Sequence, residues 1–123
     1  MHDKLADCLL SSNMPDRIKN IAVGAWVGLE EKYGKGLGVA VKQLIAAVKF
    51  KDPARLKNIK VPSLIVCGKE DRFVPPSHSK KLHDCIPGSL FVEINGGHEL
   101  HMDSRDDLKQ AIIDHVKRNL NDA

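Results

Sequence analysis

The sequence predicts an α/β protein, with helices in the N-terminal half followed by a parallel β-α-β-α unit. Three observations predict it. Apolar side chains recur at helical spacing through residues 14 to 50, residues 61 to 68 are a short apolar run bounded by proline and glycine, and residues 104 to 120 return to one amphipathic helical face. At 123 residues the chain fits one domain.

In the first half, Ile18, Ala22, Ala25, Trp26 and Leu29 share one helical face, and Leu37, Val41, Leu44, Ile45 and Val48 repeat the pattern. Between them Tyr33-Gly34-Lys35-Gly36-Leu37-Gly38 breaks the helix, so a helical pair joined by a flexible hinge is expected. The glycine run lacks both G-x-x-x-x-G-K-[ST] and G-x-G-x-x-G spacing and follows a helix, which argues against a phosphate loop.

From Val61 the period changes. Val61-Pro62-Ser63-Leu64-Ile65-Val66-Cys67-Gly68 reads as a strand buried on both faces of a parallel sheet. Asp71-Arg72-Phe73-Val74-Pro75-Pro76 is a loop, and a helix is expected from about Ser77 to Cys85, stopped by Pro87-Gly88. Leu90 to Ile94 is the second strand. Ser104-Arg105-Asp106-Asp107 resembles a capping box, and Leu108, Ala111, Ile112, His115 and Val116 trace the last helix to about Leu120. A right-handed strand-helix-strand connection assembles these elements.

Both strands of such a unit run the same way, so the loops after them emerge along one sheet edge, where open α/β folds place ligands. Asp71 comes soon after the first strand and His98 soon after the second, which makes them neighbours. A carboxylate that accepts from one imidazole nitrogen fixes the tautomer and frees the other nitrogen to take a proton from a nucleophile. Gly96-Gly97 lets the backbone turn tightly and keeps side-chain bulk away from the ring.

Residues 59 to 116, with a strand ending in G-x-x-D-x-x-V-P, a helix, I-P-G, a strand and then G-G-H, resemble the C-terminal part of the α/β-hydrolase superfamily. The resemblance implies that Asp71 is the triad acid and His98 the triad base. It also implies that residues 1–56 are a helical lid-like region, that residues 57–123 are the β-α-β-α part of the core, and that no metal or organic cofactor is needed. The substrate class it implies is a small ester, lactone or similar molecule.

The family's nucleophile sits on a G-x-S-x-G elbow ahead of the acid and the histidine. None of Ser11, Ser12, Ser63, Ser77, Ser79, Ser89 or Ser104 lies in that context, so the nucleophile is expected outside this chain and the chain alone is expected to be inactive. Two parallel strands buried on both faces need neighbours. The bare sheet edge is therefore expected to meet an N-terminal hydrolase half or a second copy of the chain in a homodimer. The alternative function is a noncatalytic dimerisation or binding module derived from a hydrolase.

Other chemistries find less support. His98-Glu99-Leu100-His101 lacks the H-E-x-x-H spacing of a zinc helix, and Asp103 reads as a local structural contact. Glu70 reads as a solvated neighbour of Asp71. Cys8, Cys67 and Cys85 are an odd number without metal spacing and read as reduced thiols. One Trp, one Tyr and three Phe, with a net charge of +3 spread over interleaved acids and bases, argue against nucleic-acid binding. Acids near the N-terminus and the lack of an apolar run of ~18 residues argue against a signal peptide or membrane span, and a cytoplasmic location is expected.

Overall fold

The computed structural model describes residues 2–34, 36–49 and 53–121. Its elements are α1 (His2–Leu9), α2 (Asp16–Tyr33), α3 (Leu37–Lys49), a 3₁₀ turn (Pro53–Asn58), β1 (Leu64–Gly68), α4 (Pro76–Cys85), β2 (Leu90–Ile94), α5 (Leu100–Asp103) and α6 (Arg105–Asn121). β1 and β2 pair in parallel, with Leu64 opposite Leu90 and Gly68 opposite Ile94. The α/β class and the β-α-β-α order follow the sequence reading.

Local chemistry explains the boundaries. Pro76 opens α4 near its first position, where a missing N–H leaves no intrahelical bond unmade. At the other end Ile86 is extended and Gly88 takes a positive φ of 71°, which reverses the chain toward β2. The Ser89 hydroxyl closes this corner by donating to the Ile86 carbonyl at 2.9 Å and meeting His83 Nδ1 at 2.8 Å, which satisfies a polar group that is itself buried.

Both α4 and α6 pack on β1 and β2. Ile65 and Cys67 of β1 and Ile94 of β2 are buried, whereas Leu64, Val66, Leu90, Phe91 and Val92 are half-buried. The expectation of strands buried on both faces is thus met only in part, because two strands leave the sheet short of neighbours. A second core holds Ala6, Leu10, Met14 and Ala22, with Leu9, Val23, Trp26 and Met102 against it.

α1 lies in the N-terminal half expected to be helical, although the sequence reading does not pick it out as a separate element, and it buries Ala6. Two expectations are corrected. The apolar face of α2 closes on the second core only through Ala22 and Trp26, while Ile18 and Leu29 are exposed, as are Val41 and Ile45 of α3. The side chains of Leu37, Leu44 and Val48, and the hinge residue Lys35, lie outside the described residues, as do Lys51 and Asp52. The capping box at Ser104 does not form either. Its hydroxyl donates to the Asn95 carbonyl instead, while the Ser104 carbonyl accepts the Leu108 amide.

Candidate functional site

The loops after β1 and β2 are stitched together beyond the strand ends. The Lys69 amide donates to the Ile94 carbonyl at 2.8 Å and the Glu70 amide to the Gly96 carbonyl at 2.9 Å, so the parallel ladder continues into the loops. This continuation needs glycine. A Cβ on Gly68 would fall on the carbonyls of Gly96 and Gly97, and a Cβ on Gly97 would lie 2.7 Å from the Leu9 oxygen and the Leu10 carbonyl carbon. Neither Gly96 nor Gly97 has a positive φ, so close backbone approach, rather than a left-handed turn, explains the pair.

The stitched loops bring Asp71 and His98 together. His98 Nδ1 lies 2.8 Å from Asp71 Oδ2, across 27 residues of sequence. A carboxylate can only accept, so Nδ1 carries a proton, and in the neutral ring Nε2 is then the nitrogen with the lone pair. The other oxygen, Oδ1, accepts the amides of Phe73 at 2.9 Å and Val74 at 2.7 Å, which fixes the carboxylate before the histidine reaches it. The Asp71 side chain is only 7% exposed and that of His98 is 34% exposed, so the carboxylate lies inside and the imidazole reaches toward solvent. Phe73 packs edge-on against the imidazole with ring centroids 5.1 Å apart.

The structure adds residues whose part the sequence reading missed. Glu70 is not merely solvated: Oε2 accepts the Ser12 hydroxyl at 2.6 Å and the Ser12 amide at 3.1 Å. Those bonds from Ser12 hold its carboxyl below the usual carboxylate range. Asp103 is more than a local contact, because its Oδ2 accepts the Gly97 amide at 2.7 Å and the Ser11 amide at 2.9 Å. The Glu99 amide donates to the Leu9 carbonyl at 3.0 Å. Leu9 to Ser12 thereby forms a strap joined to both loops. No spacing rule could have signalled this, since Ser11 and Asp103 stand 92 residues apart.

Beside this strap lies a cavity of about 310 Å³ bordered by Ser11, Met14, Ile18, Glu70, Met102 and Asp103, among others. Neither Asp71 nor His98 lines it. His101 turns to Glu99, with Nδ1 3.2 Å from Oε2, and among the described residues no three His, Cys, Asp or Glu side chains converge in a metal-holding group. Cys8, Cys67 and Cys85 are free thiols. Burial and the nearby Glu93 push the Cys67 thiol up, away from nucleophilic character. No described helix is long and apolar enough to cross a membrane.

A serine hydrolase (FSH1) family model matches residues 22–106, a span that includes Asp71, His98 and Asp103. The putative carbamate hydrolase RutD of Stutzerimonas stutzeri is 29% identical over 77 residues, which is 62% of this chain and 29% of that protein. An esterase from Exiguobacterium antarcticum superposes with a TM-score of 0.74 at 20% identity, over 94% of this chain and 41% of that one. The serine hydrolase CarC, involved in carbazole degradation, superposes with a TM-score of 0.71 at 24% identity, over 94% of this chain and 46% of that one. The chain spans less than a third of the curated relatives it matches and less than half of these solved structures.

Proposed function

Since the chain belongs to the serine hydrolase (FSH1) family, within the α/β-hydrolase superfamily, we propose that it supplies the acid and the histidine of a catalytic triad whose nucleophile lies outside it. The observation that carries the reading is the Asp71–His98 pair at 2.8 Å on adjacent loops of one sheet edge. In this reading Asp71 holds the Nδ1–H tautomer and His98 Nε2 takes the proton of a serine hydroxyl as that oxygen attacks an ester-like carbonyl. The imidazolium then gives the proton to the leaving oxygen. Water, deprotonated in turn by Nε2, attacks the acyl-serine carbonyl, and the imidazolium returns the proton to the serine oxygen as its bond to the acyl carbon breaks and the acid leaves. Residues 1–56 act as a lid-like cover over that edge, and residues 57–123 carry the chemistry.

The nucleophile-bearing half seats against the bare sheet edge in this reading. The test is intact mass after fluorophosphonate treatment. It is applied to this chain alone and to a fusion placing an α/β-hydrolase half with a G-x-S-x-G elbow ahead of residue 1. The expected result is no adduct on the chain alone, an adduct on the elbow serine of the fusion, and loss of that adduct with His98→Ala. A His98-dependent adduct on one of the chain's own serines would contradict an external nucleophile.

A second reading is a noncatalytic dimer or binding module, and the apolar face left open on α6 favours it. Ile112, Val116 and Leu120 are exposed there, next to a groove bordered by His101, Arg105, Leu108 and Lys109. Sedimentation separates the two: a dimer unaffected by His98→Ala, together with a fusion that takes no adduct, supports the module.

A further inference from the structure

We propose that Asp103 is a positioning residue that sets the imidazole of His98, an inference that rests on the reading of His98 as the general base. The residues on both sides of His98 are held by backbone bonds to fixed partners. Gly97 donates to Asp103 Oδ2 at 2.7 Å, and Glu99 donates to the Leu9 carbonyl at 3.0 Å. Both partners belong to one assembly, because the same Oδ2 accepts the Ser11 amide at 2.9 Å, two residues beyond Leu9. The peptide that carries His98 is therefore pinned at each end, and Asp103 is the side chain that joins the pins.

The setting of the half-buried Asp103 side chain argues for a role in holding the turn. Its Oδ1 is buried without a hydrogen-bond partner among the described residues. Leaving such an oxygen unpaired costs stability, and a smaller or apolar residue would avoid that cost. A carboxylate in this place offsets the cost by accepting two amides at once, from segments that no strand or helix connects. Gly97 fits the same account, since any side chain there would meet the backbone of Leu9, Leu10 and Ser11. The strap approaches the turn closely enough to be ordered by one acceptor, and the direction of the His98 Cα–Cβ bond follows from the turn.

Asp103 touches neither Asp71 nor the ring in this account, so its effect must travel through the backbone. Loss of the acceptor lets the turn rotate and weakens the Nδ1–H···Oδ2 bond to Asp71. The Nδ1–H tautomer, which that bond sustains, then yields to the Nε2–H form that free imidazole side chains favour. An Asn at the position keeps a carbonyl acceptor and preserves the turn, whereas a Leu of similar bulk does not.

The experiment reads the His98 tautomer by long-range ¹H–¹⁵N correlation on the full chain at alkaline pH, in the wild type, Asp71→Asn, Asp103→Leu and Asp103→Asn. Asp103→Leu is expected to lower the Nδ1–H to Nε2–H ratio by about tenfold, the factor carried by one lost charge-assisted hydrogen bond, while the amide shifts of β1, β2 and α6 stay in place. Asp103→Asn is expected to keep both the ratio and the protection of the Gly97 amide from hydrogen exchange. An unchanged ratio in Asp103→Leu overturns the proposal. So does loss of the ratio in a folded Asp103→Asn, which decides the matter if the Leu variant fails to fold. A wild-type ratio that Asp71→Asn does not move would instead overturn the triad reading on which the proposal rests.

Discussion

Replacing Gly97 with alanine tests the close approach on which the site is built. The added methyl would lie 2.7 Å from the Leu9 oxygen and the Leu10 carbonyl carbon and 2.8 Å from the Ser11 nitrogen, against an ordinary contact of at least 3.4 Å. The shortfall is about 0.7 Å, and the atoms are all backbone, so no side chain can rotate away. The strap or the turn must move by that amount. Overpacking of this kind costs about 1–3 kcal/mol, and the movement also stretches the 2.7 Å bond from Gly97 to Asp103, which places the change near the upper end. With a urea slope of about 1–3 kcal/mol/M, the unfolding midpoint should fall by roughly 1–3 M, read by circular dichroism. A midpoint within about 0.2 M of wild type, well inside the effect expected for overpacking, would refute the close packing of strap and turn.

Three further outcomes follow from the same geometry. Leu10→Ala removes the side chain at the centre of the second core, 2% exposed, and should destabilise the chain by about 2–5 kcal/mol in the same urea assay. Ser12 holds the Glu70 carboxyl below its ordinary value of 4.5, so the stabilisation it gives is complete above that pH and is lost as pH falls through the lowered folded-state value. Glu70→Gln should therefore be less stable than wild type near neutrality and converge with it on acidification, and a gap that stays constant with pH would refute the assignment. Alkylation followed by peptide mapping should label exposed Cys8 first and buried Cys67 only at the rate of opening, because burial and Glu93 raise the Cys67 thiol.

The strands, α4 and α6 were legible because each has a local signal: an apolar run between proline and glycine, a helix stretch between a proline loop and a Pro-Gly stop, or a 3.6-residue stripe. The adjacency of Asp71 and His98 was legible for the same reason, since parallel pairing alone brings the two loops together. What escaped was nonlocal. The apolar faces of α2 and α3 predict a packed pair, yet Ile18, Leu29, Val41 and Ile45 are exposed, because periodicity shows that a face exists without showing what covers it. Ser104 spent its hydroxyl on Asn95 rather than on its own helix, a choice made by the turn after β2 and invisible in a capping pattern. The bonds of Glu70 to Ser12 and of Asp103 to Ser11 join distant segments, so they have no spacing to read.

The strap also links the two cores. Leu10 lies in the N-terminal cluster, while its neighbour Leu9 accepts the Glu99 amide beside His98 and the Ser11 amide donates to the Asp103 carboxylate that also accepts the Gly97 amide. Disturbing the N-terminal cluster should therefore reach the histidine loop before it reaches the β1–β2 ladder, whose bonds are independent of the strap.

The most direct test of the account is ester turnover by the fusion that supplies a G-x-S-x-G elbow, measured with p-nitrophenyl acetate for the unsubstituted form, His98→Ala and Asp71→Asn. Triad logic predicts that each substitution lowers kcat by roughly 10⁴-fold while leaving the circular dichroism spectrum unchanged. Turnover within about tenfold of the unsubstituted fusion in both variants would contradict the assignment of His98 as base and Asp71 as its orienting acid.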